Sequence, residues 1–353
     1  MKRLYILAVL LFGCRPTQDD QDAPAAQPAA PVVASPGWLK GQLHLHSNAS
    51  GDSETPPEQV ARWYAAHGYD FIVFTDHNRV TEVPGVGEML VMPGVELTQN
   101  LEVCDPPPPA NMQCLLHVNA LAVDMGRLDA AAAIEEPRSV DRVARYEHGM
   151  RVTEALGGVA QLNHPNFHLA ATQDDLLRLA RSGLRLFEVA NEAWDSNNEG
   201  DATHPSTEAM WDHVLGQGVR LYGTATDDAH HYDDAERVRA AGKSVFTGDL
   251  GFVMVRAARD PAAIRDALAR GEFYASTGVV LEDVSFADGV LEVRVSPTSE
   301  GPVEVRFIAD GAVVKTTRES VARYDTTKRE HTYVRATVVD GQRHTAWVQP
   351  VFP

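Results

Sequence analysis

"GQLHLHSNASGD", residues 41–52, sets the terms on which the rest of the chain is read. Leu43, His44, Leu45 and His46 alternate, and in an extended strand that alternation sends both imidazoles to one side and both leucines to the other. A strand early in a large domain ordinarily turns aliphatic side chains inward. Two histidines sharing a face, followed by a polar Ser/Asn/Gly/Asp loop, make a ligand-bearing strand end the reading to test against the remaining sequence.

The bulk properties set the limits. With 353 residues, 44% of them hydrophobic, the chain can bury a sizeable core in one large domain or two ordinary ones. A formal net charge of −18 and the lack of any run of Lys or Arg argue against a nucleic-acid surface. At the amino terminus, "MKRLYILAVLLFGC" (1–14) has a basic start and an apolar run too short to span a membrane, the pattern of a signal peptide. Leu11 to Cys14 is similar to a bacterial lipobox, which implies lipidation of Cys14 and attachment to the cell envelope; a plain secretory signal is the alternative. Residues 15–37 are rich in Pro, Ala, Asp and Gln and predict an extended tether. Cys104 and Cys114 flank "DPPPPANMQ" (105–113), a spacing that matches no zinc motif. In an oxidising compartment they predict one disulfide, with two reduced loop cysteines as the alternative.

From Trp38 to about residue 280, short apolar runs alternate with amphipathic stretches. Strand-like runs include "LHLH" (43–46), "FIVFT" (71–75), "MLVMPGVEL" (89–97), "LLHVNALAV" (115–123), "VAQLNH" (159–164), "LRLFEVA" (184–190), "VRLYGTAT" (219–226) and "FVMVRA" (252–257). Helices with start and stop signals lie between several of them, such as "PPEQVARWYAAHG" after Thr55 and "QDDLLRLARSG" after Thr172. Strands alternating with helices predict βα units on a largely parallel sheet, and about eight strands over this length is barrel-sized. Beyond "GEFYASTGV" (271–279) the helical pattern stops. Asp-Gly pairs at 288–289, 310–311 and 340–341 punctuate alternating runs, a hairpin signature. Residues 281–353 therefore predict a small all-β sandwich of immunoglobulin-like kind.

The histidines are concentrated where strands should end. His44 and His46 close the first, His77 follows the second in "FIVFTDHN" (71–78), and Glu96 closes the third in "MPGVELT" (92–98). His117 lies in the fourth, His164 ends the fifth in "QLNHP" (161–165), and Asp228 and His230 follow the seventh in "GTATDDAHH" (223–231). In a βα barrel such ends converge on one face. Clustered imidazoles and carboxylates, with no thiolate, need cations to be buried together, and they suit Zn, Mn or Fe.

Taken in order, "HLHS", "FIVFTDHN", "PGVELT", "QLNHP" and "DDAH" resemble the motifs of the polymerase and histidinol phosphatase (PHP) superfamily over residues 40–280. "GEFYASTGV" and "YVRATVVDGQRHTAWVQPVF" (333–352) resemble its carbaryl-hydrolase-like branch. The resemblance implies a distorted (β/α)7 TIM-like barrel over 38–280 and two or three divalent metal ions. It implies a first metal on His44, His46 and Asp228, with Glu96 bridging to a second on His117 and His164. A third would use Asp52, His77 and His230. Asp76 and Asn163 would orient the imidazoles, and Glu96, His164 and Asp228 are the candidate catalytic residues.

Neighbouring cations can share a hydroxide, and their net positive charge attracts anions into an otherwise acidic protein. A phosphoesterase acting on a small anionic ester is the function this predicts. Arg79, Arg237, Arg239 and Lys243 flank the motif loops as candidate phosphate clamps, and His168 and His231 as candidate proton donors. A carboxylic ester or carbamate hydrolase is the alternative. A metal-stabilised binding module without catalysis is a second alternative.

Overall fold

The computed structural model describes residues 37–299 and 301–353, so the expectations for the signal segment, Cys14 and most of the 15–37 tether lie outside the described residues. Ten strands run from 38 to 276: β1 (Trp38–Gln42), β2 (Phe71–Val73), β3 (Leu90–Met92), β4 (Val95–Leu101), β5 (Cys114–Leu121), β6 (Val159–Leu162), β7 (Leu186–Asn191), β8 (Tyr222–Thr226), β9 (Phe252–Arg256) and β10 (Phe273–Ser276). Seven more follow: β11 (Leu281–Ala287), β12 (Val290–Val295), β13 (Glu304–Ala309), β14 (Ala312–Thr317), β15 (Val321–Asp325), β16 (Val334–Val339) and β17 (Thr345–Val351). The helices are α1 (Pro57–Ala66), α2 (Leu128–Ala132), α3 (Arg142–Ala155), α4 (Gln173–Arg181), α5 (Thr207–Leu215), α6 (Ala235–Ala240) and α7 (Pro261–Arg270).

Local chemistry explains where helices begin and end. The Thr172 side chain caps the backbone of Asp175, and Asp175 returns the bond to Thr172, a reciprocal cap that opens α4. Asp260 caps α7 and Gly271, at φ 74°, closes it; a Cβ there would lie 2.4 Å from the Tyr222 ring. Strands such as β2 and β7 are buried along their whole length, as the continuous apolar runs require.

The architecture is mixed α/β, with three sheets among the described residues. β4-β5-β6-β7-β8 form one of five strands, β11-β12-β15 one of three, and β14-β13-β16-β17-β10-β9-β1-β2-β3 one of nine. Parallel pairing is less general than expected. β4 and β5 form an antiparallel hairpin that reverses β5 among the otherwise parallel β4, β6, β7 and β8, and β9 runs against β1. Among the described residues no continuous ladder closes the expected barrel. The nine-stranded and five-stranded sheets meet through two isolated parallel bridges, Leu45 with Ala229 and His77 with Glu96. Both bridges lie where the histidine motifs fall.

Several expected strands are shorter than their apolar runs. β1 stops at Gln42, so "LHLH" lies just beyond the ladder, yet it keeps its alternation. Leu43 packs with Leu39 and Phe71, and Leu45 packs with Val60 and Tyr64 of α1. "MLVMPGVEL" is broken into β3 and β4 at Pro93-Gly94, where the chain passes so close to Phe74 and Ala120 that any Cβ on Gly94 would clash.

The carboxy-terminal region is all β, but it is not a separate pair of layers. β10 pairs with β17, so β13, β14, β16 and β17 extend the sheet that holds β1. β11 and β12 face that extension through one buried cluster that includes Leu281, Leu291, Phe307 and Val348. Two of the three Asp-Gly pairs, 288–289 and 310–311, make two-residue turns with both φ values positive, as a type I′ hairpin needs. The third begins a longer turn in which Arg343 takes the positive φ. Cys104 and Cys114 are disulfide-bonded across the β4–β5 loop.

Gly41 in β1 is demanded by packing, because a Cβ would sit 2.0 Å from the ring of buried Phe71. Gly41→Ala is expected to lower stability by about 1–3 kcal/mol in urea unfolding. Adding Phe71→Leu should cost less in that background than in the wild type.

Candidate metal centre

The reversal of β5 places the start of that strand at the same rim as the ends of its neighbours. His117, opposite Thr98 in the hairpin, therefore meets Glu96 although it is not at a strand's carboxyl end. The structure brings together all nine residues His44, His46, Asp52, His77, Glu96, His117, His164, Asp228 and His230. Their ligand atoms fall into three groups: His44–His46–Asp228, Glu96–His117–His164, and His46–Asp52–His77–His230.

Most of these rings are aimed by a contact behind them. His44 Nδ1 lies 2.7 Å from Glu188 Oε1, and a carboxylate only accepts, so Nδ1 carries a proton and Nε2 is the nitrogen turned inward. That Nε2 is 3.2 Å from Asp228 Oδ1 and 3.4 Å from Glu96 Oε1. His46 Nδ1 bonds Ser50 Oγ at 2.8 Å while its Nε2 is 3.1 Å from Asp228 Oδ1. His117 Nε2 donates to Asn100 Oδ1 at 2.9 Å, leaving Nδ1 3.0 Å from Glu96 Oε1. His230 Nδ1 donates to the Asp228 carbonyl at 2.9 Å, and its Nε2 lies 3.2 Å from Asp52. His77 spans two carboxylates, 2.6 Å from Glu96 and 3.0 Å from Asp52. His164 Nε2 is 3.6 Å from Glu96.

Two of these residues sit on unusual backbone. His164 has φ 25° and Asp228 φ 51°, values that cost a non-glycine residue about 1–3 kcal/mol. The Asp228 N–H donates to the His44 carbonyl and the His164 N–H to Glu188, bonds that hold the strained turns in place.

The charges explain one another. Burial pushes the Glu96 carboxyl up, but His117 and His44 override it and hold it well below the ordinary range. Asp228 is likewise held low against burial by His44 and His46. Burial also disfavours the charged form of His77, yet Asp52 and Glu96 raise its pKa to about 10. The same competition raises His44, His164 and His230, whereas burial and neighbouring His230 bring His46 down to about 4.

This donor set fits divalent cations. His44 Nε2 and His117 Nδ1 are buried without a hydrogen bond, although each faces carboxylate oxygen. Among the described residues no Lys or Arg lines the cavity of about 270 Å³ into which Asp52, His77, Glu96, His117, His164, Asp228 and His230 open. Imidazole and carboxylate donors without thiolate could hold a divalent metal ion.

Other expected residues are placed differently. Arg79, His168, Arg237, Arg239 and Lys243 do not line the cavity. Arg237 is paired with Glu54 and Asp234, and Arg239 with Glu236. His168 accepts from the Gln113 N–H and so ties the 102–113 loop to the turn after His164. His231 does line the cavity, with its Nδ1 accepting from the Phe246 N–H. Asp76 accepts from Ser47 and Thr81, so it fixes the loop after His46 rather than an imidazole. Asn163 donates to Glu96 Oε1 at 2.8 Å and orients that carboxylate instead of a ring.

The sequence reading missed Glu188 behind His44, and Phe167, Asn191, Asp195 and Phe246 in the cavity wall. Glu188 had a signal: it is the one acid inside the apolar "LFEVA" run. The wall residues had none, being common residue types at a strand end, in a short helical turn or in loops.

The chain matches no protein-family model and no curated protein. Solved structures that match include one from Bifidobacterium adolescentis described as a "putative metal-dependent phosphoesterase". That chain is 14% identical, with a TM-score of 0.39, and the match covers 65% of this chain and 96% of the other. Functional inference therefore rests on the site itself.

Because His77 holds its proton to about pH 10, and His44, His164 and His230 are also raised, a cation must displace protons to bind. Zinc or manganese binding is expected to release protons and to tighten as pH rises from 6 to 9. Calorimetry in buffers of different ionisation enthalpy measures both effects.

Proposed function

We propose that the chain is a divalent-metal-dependent hydrolase of the PHP type, acting on small phosphate esters. The observation that carries this reading is the meeting of nine N and O donors, from widely separated segments, in three groups, seven of them opening into one cavity. Glu96 faces ligands of all three groups, contacting His44, His46, His77, His117 and His164. When bound, divalent cations supply Lewis acidity and lower the pKa of water from about 15.7 towards about 7.

The protein's own part is positioning and exclusion. Glu96 and Asp228 hold the negative charge that assembles the cluster, and Asn163 and Asn191 each donate to one of these two carboxylates. Phe167 and Phe246 wall the cavity and restrict water. Export through the 1–14 segment, with a lipid anchor at Cys14 and attachment to the bacterial envelope, completes the proposal.

A second reading is favoured by the cavity wall. With no Lys or Arg among its lining residues, and with Phe167, Ala193 and Phe246 present, it suits the apolar part of a carboxylic ester or carbamate. Zn-, Mn- or Fe-loaded protein is expected to hydrolyse bis(p-nitrophenyl) phosphate or p-nitrophenyl phosphate. Turnover of naphthyl esters or carbamates alone establishes the second reading, and turnover of neither class favours a binding module.

Glu96→Ala and Asp228→Ala are expected to reduce kcat by more than about 100-fold. Arg79→Ala, Arg237→Ala and Lys243→Ala should stay within about twofold of wild type, as expected of surface changes remote from the cavity. Steady-state kinetics on the same substrates checks both groups.

A further inference from the structure

We propose that Glu188 is a positioning residue that sets two of the three ligand groups at once and makes cation binding in them interdependent. The inference rests on the reading of those groups as metal sites. Glu188, in β7, is wholly buried and touches no solvent. Its Oε1 accepts from His44 Nδ1 at 2.7 Å, from Thr226 Oγ1 at 2.7 Å and from Gln161 Nε2 at 3.2 Å. Its Oε2 accepts from the His164 backbone N–H at 2.6 Å and from Asn191 Nδ2 at 2.9 Å. Asn191 Nδ2 also reaches Asp228 Oδ2 at 3.3 Å.

One carboxylate thus holds His44 through its ring, His164 through its backbone and Asp228 through an amide. His44 and Asp228 belong to one ligand group, and His164 belongs to another. Each oxygen has a distinct task. Oε1 fixes the tautomer that leaves His44 Nε2 free to ligate, and Oε2 anchors the His164 turn at φ 25°. The supporting contacts of the other rings reach one or two of these residues, against the three held through Glu188. Asn100 backs only His117, and Ser50 Oγ backs only the His46 ring while also capping the His77 backbone.

Glu188→Gln keeps the volume, removes the charge and leaves one acceptor where two are used. The purified full-length protein is titrated with Zn²⁺ against a chromophoric chelator, and with Co²⁺ while its visible absorption is followed. Wild type, Glu188→Gln and Asn100→Ala are compared. In Glu188→Gln two metal equivalents should weaken by about 10–100-fold, with a changed Co²⁺ spectrum, while the equivalent at Asp52, His77 and His230 is unaltered. Asn100→Ala should weaken one equivalent alone.

Unchanged Zn²⁺ affinity in Glu188→Gln, or loss confined to one equivalent, overturns the inference while leaving the metal reading standing. Failure of wild type to take up either ion overturns both. Circular dichroism of the metal-free variant separates a positioning effect from misfolding. Should Glu188→Gln not fold, Thr226→Val decides: it removes one bond to Glu188 and should weaken the same two equivalents by about 2–10-fold. Unaltered binding in that variant overturns the inference.

Discussion

A carboxylate taken out of water must find compensating charge, and among the described residues Glu96 has none from Lys or Arg. It is 1% exposed, and its neighbours are the rings of His44, His46, His77, His117 and His164. Burial of such a group is costly unless it is paired. Much of the architecture serves this requirement: the hairpin that reverses β5 delivers His117, the β1 terminus delivers His44 and His46, and the turn after β6 delivers His164. Even the bridge between His77 and Glu96, one of two that join the sheets, lies inside the cluster.

Two adjacent aspartates show how finely the chain divides its labour. Asp228 faces the cavity among histidines. Asp227 turns away and accepts from the backbone N–H groups of Asp249, Leu250 and Gly251, from Tyr64 and from Gln42. Burial raises the pKa of Asp227 to about 6 even against those bonds. One of the pair organises the loop before β9 and the other organises the site, although the sequence offers two identical residues in succession.

What the sequence made legible was the set of chemistry-bearing residues. His44 and His46 announce themselves by alternation, and the other ligands by falling near the ends of apolar runs. What it concealed depends on pairing partners. Nothing in "LLHVNALAV" reveals that its strand is reversed, because strand direction is set by the hairpin closing over Cys104 and Cys114. The expected clamps, Arg237 and Arg239, were read from proximity in sequence, whereas nearby acids capture them in space. Glu188 was visible as an acid in an apolar run, but besides Asn191 of its own strand its partners come from three separate segments, which no local pattern shows.

The nine-stranded sheet gives the carboxy-terminal region a different standing from an appended module. β10 is hydrogen-bonded to β9 on one edge and to β17 on the other, so the last strand of the chain buttresses the sheet containing β1. Arg335 of β16 is buried against Asp212 and Glu208 of α5, and Tyr333 donates to the same Asp212. A change of grammar along the chain therefore does not mark a mechanical seam. Strain applied to the terminal strands has a continuous hydrogen-bonded route to the strand that presents the first two histidines, and the two regions share a single load-carrying lattice.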